Sequence, residues 1–464
     1  MIRIKPHIQP VLDDEKLQRN LRTTLANSLH SRQTAVDEVE NWQELRSHAR
    51  DVKRHTLEKL HDYLLQLEEN VVAHGGRVIW AETAEEAASA VLEIARERGV
   101  RSVVKSKTML GEEIEVNAAL EGAGIETVET DLGEYIVQLC HEPPFHIVTP
   151  AFHKSKEEVA QLFVDHLGME PTEDIAELTA TARRALRQKF LDADLGISGV
   201  NFAVAETGTI VVIENEGNAR LSTSLPKTHI ALMGIEKVIP RASDLPVFLK
   251  LLTRSATGQR MTSYVNLISG PRREQEPDGP EDFVLILVDN GRSRILEDPI
   301  LRQTLSCIRC GACLNTCPVY QRIGGYAYDS VYQGPIGAIL MPQLLSAREV
   351  PDHPFASSLC GACKEVCPVK IEIPEILLRL RARAQSAGLG GAGERWSIRI
   401  WAWMMTSSRR FAWAGRMMRR LFPSMSRNGR LRLPLPALSG WEKKRDLPTM
   451  PARSFREWYE DQQS

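Results

Sequence analysis

Seven of the eight cysteines lie in two short runs, and their spacing indicates metal chemistry. The runs contain Cys307, Cys310, Cys313 and Cys317, and then Cys360, Cys363 and Cys367. The first run reads C-x2-C-x2-C-x3-C-P, a spacing typical of bacterial ferredoxins that hold iron–sulfur clusters through thiolates. Clusters of this kind supply one-electron chemistry that side chains alone do not. The two runs therefore predict an iron–sulfur site.

In ferredoxins with this pattern the fourth cysteine of one run binds the other cluster. Such crossed ligation assigns a first [4Fe-4S] cluster to the first three cysteines of one run and the last cysteine of the other. Its ligands are Cys307, Cys310, Cys313 and Cys367. A second cluster of the same type takes Cys317, Cys360 and Cys363.

The second run lacks its first cysteine, because Ser357 stands at that position. Three outcomes are open: a [3Fe-4S] cluster, a [4Fe-4S] cluster with Ser357 oxygen or solvent on the last iron, or no second cluster. An alkoxide is a harder ligand than a thiolate. We therefore expect the second site to be more labile than the first, with a shifted potential.

Zinc is the alternative metal, since tetrahedral zinc sites also use C-x2-C pairs such as Cys360 and Cys363. Zinc does not require seven cysteines in this order with two Cys-Pro endings. The eighth cysteine, Cys140, lies in an apolar-rich run and is predicted to be a core thiol.

The chain that positions these cysteines has the composition of a globular protein. It has 464 residues, of which 43% are hydrophobic and 25% charged, and this length allows roughly two to four domains. The predicted segments are an N-terminal helical region at 1–75, an α/β domain at 76–297, a ferredoxin domain with two iron–sulfur sites at 298–388, and a basic aromatic region at 389–464.

The predicted α/β domain alternates short apolar runs with helical stretches, which favours a layered parallel sheet. Among the predicted strands are Arg77–Ala81, Val100–Val104, Phe145–Pro150 and Phe283–Val288, and Glu113–Ala123 is a predicted helix. The cysteine region is predicted to be all-α and similar to the helical ferredoxin of respiratory iron–sulfur subunits, because 42 residues separate Cys317 from Cys360. A compact two-hairpin ferredoxin has no room for such an insert.

Several polar residues of the α/β domain are candidates for holding a small anion. Lys105 and Lys107 follow a predicted strand, the position where open α/β sheets bind ligands. Arg220, Lys227 and His229 could also face a carboxylate, beside polar turns at 206–209 and 215–220. The alternative is that these lysines are solvated and the turns only connect strands. No nucleotide-binding motif is present.

The C-terminal region is basic, with 15 Lys and Arg against 6 Asp and Glu from Gly391 onward. Trp396–Phe422 mixes aromatic residues, methionines and arginines at helical spacing. Three interpretations are open: a helix on the inner membrane surface, a helix that docks on a partner, or a helix packed on its own chain.

The N-terminus has no apolar run of signal-peptide length. The expected location is cytoplasmic, with peripheral membrane contact under the first interpretation, and nucleic-acid binding has no support.

Several segments resemble the lactate utilization protein B family, and the likeness extends from about residue 20 to 460. The segments are Val104–Gly111, Glu112–Asn117, Glu129–Leu139, Gly199–Gly208 and Asn215–Gly234, together with the cysteine runs and the tail. The resemblance implies an α/β domain similar to the sugar-isomerase and CoA-transferase group. It also implies an iron–sulfur subunit that is not catalytic alone. In that family the subunit transfers electrons during oxidation of L-lactate to pyruvate, beside a cysteine-rich subunit and a second protein with the same α/β domain. The electron acceptor is not implied.

Two other functions stay open from the sequence. The α/β domain could catalyse acyl or CoA transfer with structural clusters, although no glutamate nucleophile can be identified. The chain could also be a redox-sensing module in which the labile site at Ser357 is the switch.

Overall fold

The computed structural model describes most of the chain, which divides into two compact units. The described residues are 1–389, 392–422, 426–427, 430–431, 445 and 447–463. Met1–Ala384 forms the first unit and Gln385–Ser464 the second. The α/β region and both cysteine runs belong to the first unit.

Four helices precede the first strand, as the sequence predicts. They are α1 (Lys5–Asp13), α2 (Glu15–Asp37), α3 (Trp42–Glu58) and α4 (Leu60–Ala73). Apolar residues at spacings of three and four bury one face of each long helix. On α4 this face is formed by Leu60, Leu64, Leu67 and Val71.

Ten strands follow, and six of them form the parallel sheet that the sequence predicts. The strands are β1 (Arg77–Ala81), β2 (Ser102–Lys105), β3 (Glu126–Glu129), β4 (Leu195–Gly199), β5 (Phe202–Val204), β6 (Thr209–Glu214), β7 (Thr228–Gly234), β8 (Val238–Ile239), β9 (Tyr264–Ile268) and β10 (Asp282–Val288). The parallel sheet has the order β1-β10-β7-β4-β2-β3, and a second sheet has the order β8-β5-β6-β9. β7 and β10 are almost entirely buried, which explains the continuous apolar runs Ile230–Met233 and Phe283–Val288 within them.

Eight helices lie between these strands and cover the sheets. They are α5 (Ala84–Glu97), α6 (Met109–Glu113), α7 (Val116–Gly122), α8 (Leu132–Leu139), α9 (Lys156–Leu167), α10 (Ile175–Asp192), α11 (Asn218–Ser224) and α12 (Leu245–Ala256). The helix predicted over Glu113–Ala123 begins earlier and is in two parts, α6 and α7. The break falls at Glu115, whose φ of 53° lies in the left-handed region.

The strand order reverses direction beside β2 and β4. The chain leaves β2 toward β3 at one edge of the sheet, whereas it leaves β4 toward β7 and β10 on the other side. The carboxyl ends of these two neighbouring strands therefore diverge and leave a crevice. Open α/β sheets bind ligands at such a point.

The predicted strand Phe145–Pro150 is wrong, because this segment is a closed loop. Phe145 N donates to Pro150 O at 2.9 Å, and His146 Nδ1 accepts a hydrogen bond from Val148 N at 3.1 Å. These internal bonds satisfy backbone groups that a strand would pair with its neighbours.

The cysteine region is helical, as predicted. It contains α13 (Arg292–Leu296), α14 (Ala312–Thr316), α15 (Tyr320–Ile323), α16 (Gly334–Leu344), α17 (Ala362–Val366) and α18 (Ile373–Ser386). One hydrophobic core joins this region to the N-terminal helices and the second sheet. The core includes Leu25, Ala49, Phe202, Ile339 and Ile376.

The second unit contains α19 (Ala392–Met405), α20 (Ser408–Leu421) and α21 (Phe455–Gln463) with short strands β11 (Ser426–Arg427), β12 (Arg430–Leu431) and β13 (Leu447–Pro448). Trp401, Trp403 and Trp413 are each more than half exposed. Among the described residues, no helix is both long and apolar enough to cross a bilayer.

A substitution in β4 tests the packing of α11 on the sheet. A Cβ atom at Gly196 would lie 1.8 Å from the carbonyl oxygen of Ser222 on α11. We expect Gly196→Ala to lower the free energy of unfolding by about 1–3 kcal/mol, because the helix must move away. Thermal and denaturant unfolding followed by circular dichroism measure this effect.

Gly122→Ala is the matched control, since no atom lies within 4 Å of a Cβ at that helical position. It should leave stability unchanged or raise it slightly. Equal stability of the two variants would contradict the close packing of α11.

Candidate iron–sulfur centres and the adjoining cavity

The two cysteine runs fold into loops with the same backbone shape. Arg309 and Leu359 have left-handed φ values of 59° and 56°, and Gly311 and Gly361 have φ values of 74° and 87°. Each loop leads into a five-residue helix, α14 or α17, and then into a Cys-Pro pair. Left-handed φ is uncommon for arginine and leucine. Its occurrence at equivalent positions indicates that both loops meet the same geometric requirement.

The structure brings together the four cysteines assigned to the first cluster. Cys307, Cys310, Cys313 and Cys367 line one cavity, and its other side chains are apolar: Ile147, Ile308, Ile336, Pro368, Val369, Ile371 and Ile373. Cys367 thus crosses from the second run to the first. Across the described residues, no three Cys, His, Asp or Glu side chains converge closely enough to hold a single metal ion.

The remaining three cysteines form a second group. The pKa of Cys317 is raised by burial and by Cys360, and the pKa of Cys363 is raised to about 12 by burial, Cys317 and Cys360. Cys360 is exposed. The two groups of cysteines lie close together, because the charge of Cys363 in the second group helps to raise the pKa of Cys313 in the first.

Ser357 occupies the position in the second loop that Cys307 has in the first. Ser357 Oγ accepts a hydrogen bond from Leu359 N at 3.1 Å, and Cys307 Sγ accepts one from Arg309 N at 3.4 Å. The serine therefore reproduces the local contact of the missing cysteine with an oxygen in place of sulfur.

The chemistry of the first group fits an iron–sulfur cluster. Burial raises the pKa of Cys310 to about 12 and that of Cys367 to about 11, so these thiols ionise at neutral pH only when a cation compensates their charge. Backbone N–H groups already point at the sulfurs, as Ile371 N does at 3.3 Å from Cys367 Sγ. Such hydrogen bonds are one way in which proteins set cluster potentials.

Two buried arginines of the N-terminal helices hold the second cysteine loop. Arg46 donates to Cys367 O from Nε at 2.9 Å and from Nη2 at 2.7 Å. Arg32 donates to Val366 O at 3.0 Å. These arginines satisfy carbonyls at the end of α17 and place positive charge beside the cysteines. Sequence reasoning missed both, because nothing local in α2 or α3 indicates which distant backbone they meet.

The 145–150 loop connects the α/β region to the first cysteine loop. Tyr320 donates to Phe145 O at 2.9 Å, and His146 Nε2 lies 3.1 Å from Asn315 Oδ1. The contact is close at Gly311, where a Cβ would lie 2.9 Å from Val148. Glycine suits this position for two reasons: it tolerates the positive φ, and it leaves room for the Val148 side chain.

A larger cavity of about 360 Å³ lies at the carboxyl ends of the parallel strands. Ser106–Leu110 follow β2, Gly199 ends β4 and is followed by Val200 and Asn201, and Glu236 and Lys237 follow β7; all of these line the cavity. Arg309 contributes from the first cysteine loop. Ile147 lines both this cavity and the cysteine cavity, so the two cavities lie next to each other.

A buried ionic network forms the floor between the cavity and the cysteine region. Arg292 binds Glu113 through Nη1 and Nη2, each at 2.8 Å, and Glu236 through Nε at 2.8 Å. Glu236 also forms an ion pair with Arg309 at 3.3 Å. The Arg309 guanidinium lies 4.7 Å from the ring centre of Tyr332. The arginines outweigh burial and lower the pKa of Glu236 to about 2, so this carboxylate is charged.

Of the five basic residues considered from sequence, Lys107 lines this cavity. Lys105 is buried in ion pairs with two glutamates, and Arg220 and Lys227 are exposed outside the lining. His229 is fully buried. Its pKa is lowered to about 3 by burial, so it is neutral. The solvated alternative thus holds for Arg220 and Lys227, whereas it is wrong for Lys105, which is fully buried in ion pairs.

The charged residues that sequence reasoning missed are Glu236, Lys237, Arg292 and Arg309. Lys237 carried a usable signal, because it follows β7 at the carboxyl end of a parallel strand. Arg309 lies between Cys307 and Cys310, and nothing in that spacing indicates that its side chain reaches the cavity. The turn at 206–209 does not line the cavity, whereas Asn215 and Asn218 do.

Three family models match consecutive parts of the chain. A LUD domain model matches residues 64–288, a 4Fe-4S dicluster domain model matches 303–371, and a model for the C-terminal part of lactate utilisation protein B matches 380–464. Fold and cysteine geometry thus define an iron–sulfur protein in which an α/β LUD domain precedes a helical dicluster domain.

Curated relatives extend over nearly the whole chain. Lactate utilization protein B of Bacillus velezensis is 42% identical over 461 residues, which are 99% of this chain and 97% of the relative. That of Bacillus cytotoxicus is 44% identical over 449 residues, 96% of this chain and 94% of the relative. The chain belongs to the lactate utilization protein B family. A solved DUF162 family protein from Deinococcus radiodurans covers 49% of this chain and 98% of its own at 14% identity, but its TM-score of 0.28 is too low to establish a shared fold.

Arg46 provides a test of the clamp on the second cysteine loop. We expect Arg46→Gln to lower the free energy of unfolding by about 2–3 kcal/mol, because buried carbonyls lose a charged donor. Anaerobic unfolding followed by circular dichroism measures the change. Arg50→Gln on the same helix is the control, since Arg50 is 45% exposed and pairs with Asp51 at the surface. If both variants unfold at the same midpoint, Arg46 does not act as a clamp.

Proposed function

We propose that this protein is an iron–sulfur electron-transfer subunit that takes part in oxidation of L-lactate to pyruvate. The proposal is carried by the crossed cysteine arrangement in a chain similar over nearly its full length to proteins named lactate utilization protein B. When bound, the clusters supply one-electron transfer. The chain itself supplies thiol ligands, backbone donors and buried arginines that hold them.

The proposed ligands follow the two groups of cysteines. Cys307, Cys310, Cys313 and Cys367 hold one [4Fe-4S] cluster. The ligands of the second cluster are Cys317, Cys360 and Cys363, with Ser357 at the fourth position. The match to a dicluster domain over residues 303–371 supports two clusters, and the similar left-handed φ values in the two loops support a similar cofactor in each.

We propose that the chain acts with partners and is not catalytic alone. The proposed partners are a cysteine-rich subunit, a second protein with the same α/β domain, and an electron acceptor. The exposed tryptophans of α19 and α20 support docking of the basic region on one of them. The proposed location is the cytoplasm, with peripheral contact at the inner membrane as the alternative use of this region.

Iron and sulfide analysis with EPR of anaerobically purified protein tests the proposal. We expect about seven to eight iron atoms per chain, since the first cluster has four irons and the second has three or four. Cys313→Ser should remove about half of this iron, whereas Cys140→Ser should remove none, because Cys140 lies outside both groups. L-lactate should reduce the clusters when the partner proteins are present. Zinc without iron, or clusters that lactate and the partners never reduce, would count against the proposal.

The Ser357→Cys variant tests the second site separately. We expect it to raise the iron content or slow cluster loss in air, because thiolate is a softer and stronger ligand for iron than serine oxygen. A three-iron EPR signal in the native chain should convert to a four-iron signal in the variant. Ser346→Cys is the control, since this exposed serine lies outside both cysteine loops. Identical spectra and iron contents in the native chain and Ser357→Cys would refute a ligand position at 357.

A further inference from the structure

The 360 Å³ cavity beside the cysteines has no role in holding a cluster. Its volume falls in the range of small-molecule binding sites, and it opens at the point where β2 and β4 diverge. Its lining combines apolar side chains with hydroxyl and amide groups, among them Thr108, Asn201 and Asn218. This mixture is typical of a site that holds and orients an organic ligand.

The charges of the lining are divided between two sides. On the side of β7 and β10 lie Lys237, Arg292 and Arg309 with Glu236. On the side of β2, β3 and β6 lie three acids and one lysine: Asp131, Glu214, Glu216 and Lys107. The cavity is therefore positive toward the cysteine loop and negative away from it.

Two cations on the positive side retain unused hydrogen-bond donors. Arg292 is occupied by Glu113 and Glu236, and Lys107 by Asp131 at 3.1 Å and Val148 O at 2.6 Å. Arg309 has a side chain that is 9% exposed, yet its Nη1 has no acceptor within the described part of the chain. Lys237 Nζ likewise has no hydrogen-bond or ion-pair partner among the described residues.

Leaving the buried Arg309 donor without an acceptor is costly, and the half-buried Lys237 lines the same cavity. Burial and the neighbouring Arg309 lower the pKa of Lys237 to about 8, whereas Glu236 and Cys307 raise it. An oxyanion between the two side chains would satisfy both, and charge-assisted hydrogen bonds to a carboxylate are among the strongest in proteins.

We propose that this cavity binds a small organic monocarboxylate, whose carboxylate group is held by Lys237 and Arg309. The assignment to 2-hydroxy and 2-oxo acids rests on the proposed function, whereas the anion site rests on the geometry alone. The hydroxyl and amide side chains of the lining hydrogen-bond to the hydroxyl or keto oxygen. The acids on the opposite side repel a second carboxylate, so dicarboxylates are excluded. Because Arg309 lies between Cys307 and Cys310, the ligand binds beside the first cysteine group.

Isothermal titration calorimetry on the anaerobically purified full chain tests the site. L-lactate and pyruvate should bind, and malate should bind at least tenfold more weakly. Lys237→Gln should weaken lactate binding at least tenfold without changing iron content or the unfolding midpoint. Lys250→Gln is the control, because this exposed lysine lies on α12, a helix that also lines the cavity. Lys237→Arg should retain most of the affinity.

A steric variant keeps the test valid if Lys237→Gln fails to fold. Ala256→Phe, on the α12 side of the lining, should block lactate binding while all charges are retained. The proposal is overturned if lactate and pyruvate do not bind, or if they bind Lys237→Gln and Ala256→Phe as they bind the native chain. Equal binding of inorganic phosphate and lactate would overturn the organic-acid class. Iron content and EPR are read on the same samples, so failure of this site is distinguishable from failure of the electron-transfer role.

Discussion

The rest of the first unit depends on one constraint: Cys367 must lie against the first cysteine loop, in the same cavity as Cys307, Cys310 and Cys313. Four thiols from two distant runs must face one apolar cavity, and burial raises the pKa of each buried thiol. The second loop must therefore return to the first after a long helical insert. Arg46 and Arg32 hold the returning loop from the N-terminal helices. The 145–150 loop supports the first one from the α/β side.

The buried ionic network explains how the α/β region and the cysteine region are held in register. Arg292 joins Glu113 of α6 to Glu236 beyond β7, and Glu236 reaches Arg309 in the first cysteine loop. A buried network of this kind contributes little net stability relative to apolar packing, because desolvation offsets the attraction. Its value is geometric, since charged groups accept few alternative arrangements once they are buried. It links Arg292 and Glu236 of the cavity lining to Arg309 of the first cysteine loop.

The two cysteine loops share a backbone but differ in their surroundings. The first is enclosed and carries Arg309 beside the large cavity, whereas the second has Leu359 at that position and leaves Cys360 exposed. The two cysteine loops are thus similar in sequence and backbone, but one is enclosed by the protein and the other is exposed. The protected site adjoins the candidate ligand cavity, and the more open site, with serine in place of one cysteine, faces the surface.

Local patterns were enough to predict three features. The spacing of the cysteines predicts the cysteine groups and the helical insert, and the short apolar runs that alternate with helical stretches predict the parallel sheet. The sequence by itself determined which chemistry is available, since thiol spacing and Cys-Pro endings are properties of short segments. It failed at Phe145–Pro150, where contacts with Tyr320 and an internal hydrogen-bond pattern replace the sheet. The tertiary structure alone decided that Arg46 caps a distant loop and that Lys237 and Arg309 face one cavity. The physical reason is that burial and charge pairing depend on residues far apart in the chain, whose meeting no local pattern records.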